Sequence, residues 1–112
     1  MIKKGILVLT LFTYILSANA QKVYDTHNEW NADVKVFVVH TESRADLIVY
    51  TTDKDYRAND NKGKWFFVNK PYRADKKICF VNKESRADLK VFFTNTESRA
   101  GWKNPGKKSL ME

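Results

Sequence analysis

Cys79 is the only cysteine in the chain. A lone thiol suggests a nucleophile or an intermolecular disulfide. His27 and His40 stand thirteen residues apart, but a protein metal site takes three or four well-spaced ligands, and no cysteine cluster or third ligand accompanies them. Carboxylates recur along the chain, yet none sits in the Gly-containing loop that calcium repeats use. The sequence has no GxSxG elbow, P-loop or HExxH helix. What recurs is an arginine flanked by acids. Glu42-Ser43-Arg44-Ala45-Asp46 returns as Glu84-Ser85-Arg86-Ala87-Asp88 and as Glu97-Ser98-Arg99-Ala100-Gly101. Read as an extended segment, Glu-x-Arg-x-Asp puts all three side chains on one face. The planar guanidinium would then be shared by two carboxylates of its own unit and hold the turn together.

The element that must position these groups is a thirteen-residue repeat. Ala32, Ala45, Ala58, Ala74, Ala87 and Ala100 are spaced 13, 13, 16, 13 and 13 residues apart. Weaker copies of the motif are Glu29 to Asp33, Asp55 to Asn59 and Pro71 to Asp75. The three extra residues fall in Asp60-Asn61-Lys62-Gly63. Nine residues before each alanine stands Val23, Val36, Val49, Trp65, Ile78 or Val91. The next slot holds Tyr24, Phe37, Tyr50, Phe66, Cys79 or Phe92, and two further on come Thr26, Val39, Thr52, Val68, Val81 and Thr94. Short runs of β-branched and aromatic residues are strand signals. Each unit therefore reads as a strand of about five residues, a polar turn and a tight Ala-Asp segment. Helical periodicity is absent after the first twenty residues. The predicted fold is mainly β, with six strand-plus-turn repeats in one compact domain.

This register also constrains the chemistry. Cys79 takes a slot otherwise held by aromatics, so it reads as a buried structural thiol. His27 and His40 share a slot with Asp53, Asn69, Asn82 and Asn95, residue types that start turns. Catalysis needs a unique constellation, whereas nearly every polar residue here belongs to a periodic set. The expectation is no enzyme, no catalytic residue, no metal and no cofactor.

The formal net charge is +7, from 20 Lys+Arg against 13 Asp+Glu. The repeat slots themselves are near neutral. Much of the excess lies outside them, in Lys103, Lys107 and Lys108 of the C-terminal end. The positive charge therefore reads as scattered, and nucleic-acid binding is not expected. Trp30, Tyr56 and Tyr72 share one slot, held by serine in other units. The simpler reading is that they cover the edge of the core. Exposed together, they would form a stacking platform for a sugar or a protein.

Residues 1–20 read as a secretory signal peptide. Lys3 and Lys4 give a positive start, Gly5 to Leu16 is apolar and uncharged, and Ala18-Asn19-Ala20 fits a signal peptidase site. The apolar run falls short of the roughly 20 residues of a membrane-spanning helix. Cleavage would start the mature chain at Gln21. The single domain is then 21–112, with repeats over about 23–104 and a short basic tail, 105–112.

With the repeat laid out, the chain resembles the septoil-knot family of short bacterial proteins. The family shows the same tandem strands and Glu-Ser-Arg-Ala-Asp-Leu phrases. It also shows a Gly-containing insertion before an aromatic strand, here Lys62-Gly63-Lys64-Trp65-Phe66-Phe67. The closing Ala-Gly-Trp-Lys is present as Ala100 to Lys103. Two positions depart from the pattern: Asn31 replaces the first arginine, and Pro71 replaces an acid. The resemblance implies a β-rich domain whose backbone carries a seven-crossing knot. It brings no catalytic or binding residue with it.

The expected function is a non-enzymatic, exported structural or binding module, monomeric, in the periplasm or outside the cell. The alternative is a secreted effector or inhibitor that recognises a protein or glycan through the Trp30, Tyr56 and Tyr72 slot.

Overall fold

The computed structural model describes residues 21–54 and 61–112. The leader reading of residues 1–20, and Tyr56, lie outside them. The described chain forms strands β1 (Lys22–Asp25), β2 (Val34–Val38), β3 (Leu47–Thr51), β4 (Lys64–Phe67), β5 (Lys76–Phe80), β6 (Leu89–Phe93) and β7 (Gly101–Trp102). The sheet order is β4-β1-β5-β2-β6-β3, and β3 pairs back onto β4. Six strands thus close into a barrel in which every neighbouring pair is parallel. Closure leaves these six without a free edge.

The two halves of the chain interleave. The strands β1, β2 and β3 are separated from one another by β5 and β6, and β4 and β5 are separated by β1. Only β3 and β4 are neighbours both in sequence and in space. The chain therefore goes round the barrel twice, and the second circuit fills the gaps left by the first. Described turns lie against the strand they must pass: the turn after β1 on β5, the turn after β2 on β6, and the turn after β4 on β1. No helix is needed to cross between parallel strands, because the crossing spans one strand only.

The interior follows the repeat. Val23, Val36, Val49, Trp65, Ile78 and Val91 all have no exposed surface. Two residues earlier on their strands, Val34, Leu47 and Leu89 add a second inward layer, as the two-residue period of a strand requires. The following slot points outward, and Tyr24, Phe37, Tyr50, Phe66 and Phe92 are half-buried on the barrel's outer face.

The insertion and the closing motif meet at the β3–β4 seam. Tyr50 N–H donates to Gly63 O at 2.8 Å. Gly63 has φ +90°, and a Cβ built there would lie 2.4 Å from Ile48 O, so only glycine fits this approach. The strand β7 runs antiparallel to the start of β3. Trp102 Nε1 donates to Asn61 O at 3.1 Å, tying the incoming loop down.

The C-terminal segment is more than a basic tail. Pro105–Met111 forms a 3-10 helix. Met111 is 1% exposed within the core cluster, and its carbonyl accepts from Gln21 Nε2 at 3.1 Å. Leu110 packs against the same cluster beside it.

Candidate functional site

Five described turns are single 3-10 turns: Glu29–Asn31, Glu42–Arg44, Pro71–Arg73, Glu84–Arg86 and Glu97–Arg99. In each the following alanine donates its N–H to the first residue's carbonyl, at 3.1 to 3.3 Å. A 3-10 turn takes three residues, so residues two apart diverge instead of sharing a face. The expected sharing of each arginine between acids of its own unit is therefore corrected. Arg44 Nη2 donates to Glu84 Oε1 at 2.7 Å, 40 residues away. Arg86 Nη2 reaches both carboxylate oxygens of Glu29, and Arg99 reaches Glu42, each across 57 residues. The arginines link turns of neighbouring units, drawing the two circuits of chain together at the surface.

The recurrent aspartates perform a different task. Asp33, Asp46, Asp75 and Asp88 each accept, through Oδ2, the N–H of a strand lysine: Lys77, Lys90, Lys22 and Lys35 respectively, all at 2.9 Å. Each aspartate also donates its own N–H to that lysine's carbonyl at 2.7 to 2.8 Å. The side chain extends the parallel ladder by one bond where the strand ends. Asp46 is the most buried of these, at 6% exposed. It also holds the C-terminal segment: Lys103 N–H and Asn104 N–H donate to its carbonyl, and Lys107 Nζ lies 3.5 Å from its carboxylate.

With these side chains committed, three features remain. The first is a groove of about 710 Å³ beside β5, lined by residues including Trp30, Lys35, Cys79, Phe80, Asn82 and Arg86. Cys79 is 5% exposed and forms its floor. Its slot carries Tyr or Phe on every other strand, so the small side chain leaves a hollow in the outer ring. That contrast was visible in the sequence, although the groove itself was not predicted. Burial pushes the Cys79 thiol up from its ordinary 9.0, with Glu29 and Asp25 adding to the effect. A thiol held protonated is a poor nucleophile.

The second feature is the pair of histidines. His27 has a left-handed backbone, φ 58°, and its N–H donates to Asp25 Oδ1 at 3.1 Å. His40 is exposed in the equivalent turn. Among the described residues, no three His, Cys, Asp or Glu side chains cluster as metal ligands would.

The third feature is aromatic. Trp30 is 95% and Tyr72 82% exposed. The expectation that they cover the core edge is corrected: both sit on the outer side of turns whose inner side is held by backbone bonds. Their turns follow β1 and β4, which are neighbouring strands.

A closed barrel of six parallel strands, wound from tandem strand-and-turn units, defines the architectural class. Residues 20–103 match the family model described as the 7(1) septoil knot domain, and the chain belongs to that family. No curated protein and no solved structure matches it.

Proposed function

We propose that the chain is a non-enzymatic, exported module whose rigid barrel presents a binding surface for a glycan or a protein. The observation that carries this reading is the exposure of Trp30 and Tyr72 on neighbouring turns, while the recurrent aspartates and the arginines Arg44, Arg86 and Arg99 already have structural partners. Large aromatics left in solvent on rigid turns cost little entropy to engage and offer wide contact area. Aspartates that bond to backbone and arginines that bond to glutamates are poor candidates for catalytic work, which supports the non-enzymatic part.

Export rests on residues 1–20, and the knot on the family to which the chain belongs. A chain wound twice round one barrel and knotted would unfold slowly, which suits a small protein without disulfides outside the cell. The mature start at Gln21 predicts an N-terminal mass and sequence beginning there. The binding reading is tested with residues 21–112 on a glycan array and with candidate surface proteins. Trp30→Ala and Tyr72→Ala should abolish specific signals while leaving the unfolding midpoint unchanged. Signals insensitive to both substitutions would overturn it.

A further inference from the structure

We propose that the Pro71 turn and the start of β5 form a recognition surface for an acidic polysaccharide; this rests on the binding-module reading above and names its ligand class. Arg44, Arg86 and Arg99 each reach a glutamate of another turn, whereas Arg73 forms no ion pair among the described residues. Two departures from the repeat remove further ion pairs beside Arg73. Arg44 reaches Glu84 across 40 residues, and the same step from Asn31 lands on Pro71. Lys90 Nζ lies 3.6 Å from Glu84, six residues before it, and six residues before Lys77 stands Pro71 again. One proline thus removes the acid that two slots would use, and the arginine that would have met it is an asparagine.

The result is a local excess of cations. Residues 70–77 carry Lys70, Arg73, Lys76 and Lys77 against the single acid Asp75, whose carboxylate is committed to the Lys22 N–H. The corresponding segment at 83–90 holds three cations and two acids. Tyr72 stands between Lys70 and Arg73 in the turn and is exposed, and Trp30 stands exposed on the turn after the neighbouring strand. A free guanidinium offers two parallel donors to a carboxylate or sulfate. Beside it, an exposed aromatic face takes the apolar face of a sugar ring.

Other ligands fit less well. A peptide adding a strand needs an open sheet edge, and the six-stranded barrel has none. A duplex nucleic acid needs a stripe of phosphate contacts. Here the patch is one turn wide, and Glu29 and Glu84 stand on the nearby turns along the barrel.

The test measures binding of residues 21–112 to polygalacturonate, heparin, neutral dextran and a duplex DNA, at low and at raised salt. The two acidic glycans should bind, dextran should not, and affinity should fall steeply with salt. Arg73→Glu should weaken binding by about tenfold or more. Lys103→Glu, an equal charge change outside the patch, should weaken it by less than about twofold. Tyr72→Ala should also weaken it, with an unchanged unfolding midpoint. Equal losses for Arg73→Glu and Lys103→Glu would overturn the proposal, as would DNA bound as tightly as the glycans. A partner whose capture needs Trp30 but not Arg73 would overturn it and leave the binding-module reading standing. Binding to no probe, with no Trp30-dependent partner, would overturn both.

Discussion

Arg86 and Glu29 are 57 residues apart in sequence and joined at the barrel surface by one guanidinium nitrogen that reaches both carboxylate oxygens. The pair spans the interleaved halves of the chain. It is also exposed, with side chains 52% and 32% accessible, so water screens it. The expected worth is about 0.5 kcal/mol, in the range of surface pairs. A double-mutant cycle of Arg86→Ala with Glu29→Ala should return a coupling of that size, falling further at high salt. Arg73→Ala, with no pair to lose, should leave the denaturation midpoint unchanged.

The aspartate clamps should matter more than the arginines. Asp88 bonds the Lys35 backbone through both its carboxylate and its own N–H. Asp88→Ala should cost about 1–2 kcal/mol, the scale of a hydrogen bond to a charged group at a partly wet site. Asp88→Asn keeps an acceptor oxygen and should cost less. Hydrogen exchange of the Lys35 amide should accelerate in the alanine variant. Asp46→Ala should be worse than Asp88→Ala, because the Asp46 carboxylate is more buried and also holds Asn104 Nδ2 and Lys107 Nζ.

These two predictions mark the line between what was legible in the sequence and what was not. The inward slot was legible, since Val23 through Val91 alternate with aromatics at a strand's period. The burial of Cys79 was legible from its place in the slot of aromatics. Partner choice was not. Glu42, Arg44 and Asp46 lie close together in the sequence, so a local reading paired them, yet their partners are Arg99, Glu84 and Lys90 in other units. Only the alternation of the two circuits fixes those partners, and no property of a single repeat encodes it. The exposure of Trp30 and Tyr72 was illegible too, because an aromatic on a polar turn looks the same whether it folds inward or stands out.

Gly63 should be the least replaceable residue at the seam. An alanine there would strain a backbone at φ +90° and press its Cβ against Ile48 O. Gly63→Ala should cost about 2–4 kcal/mol. It should also loosen the β3–β4 pairing first, since that closure depends on the Gly63 carbonyl. Faster exchange of the Tyr50 amide than of Val39 in the variant would show local opening; a uniform acceleration would show only global destabilisation.

Cys79 gives a pH dependence whose direction is fixed by its burial. The unfolded thiol ionises near 9.0, and the folded one above that, because desolvation and then the charges of Glu29 and Asp25 oppose the thiolate. Below pH 9 both states hold the proton and the group leaves stability unchanged by pH. Above it the unfolded chain releases the proton while the folded chain keeps it, so rising pH favours unfolding until the folded thiol also ionises. The wild type should therefore lose stability above pH 9 relative to Cys79→Ser, with the two parallel at neutral pH. The same protection predicts slow reaction of the native thiol with a disulfide reagent at pH 8 and rapid reaction in denaturant. A native rate close to that of a free thiol would mean the groove floor opens, and the pH difference between the two proteins would then vanish with it.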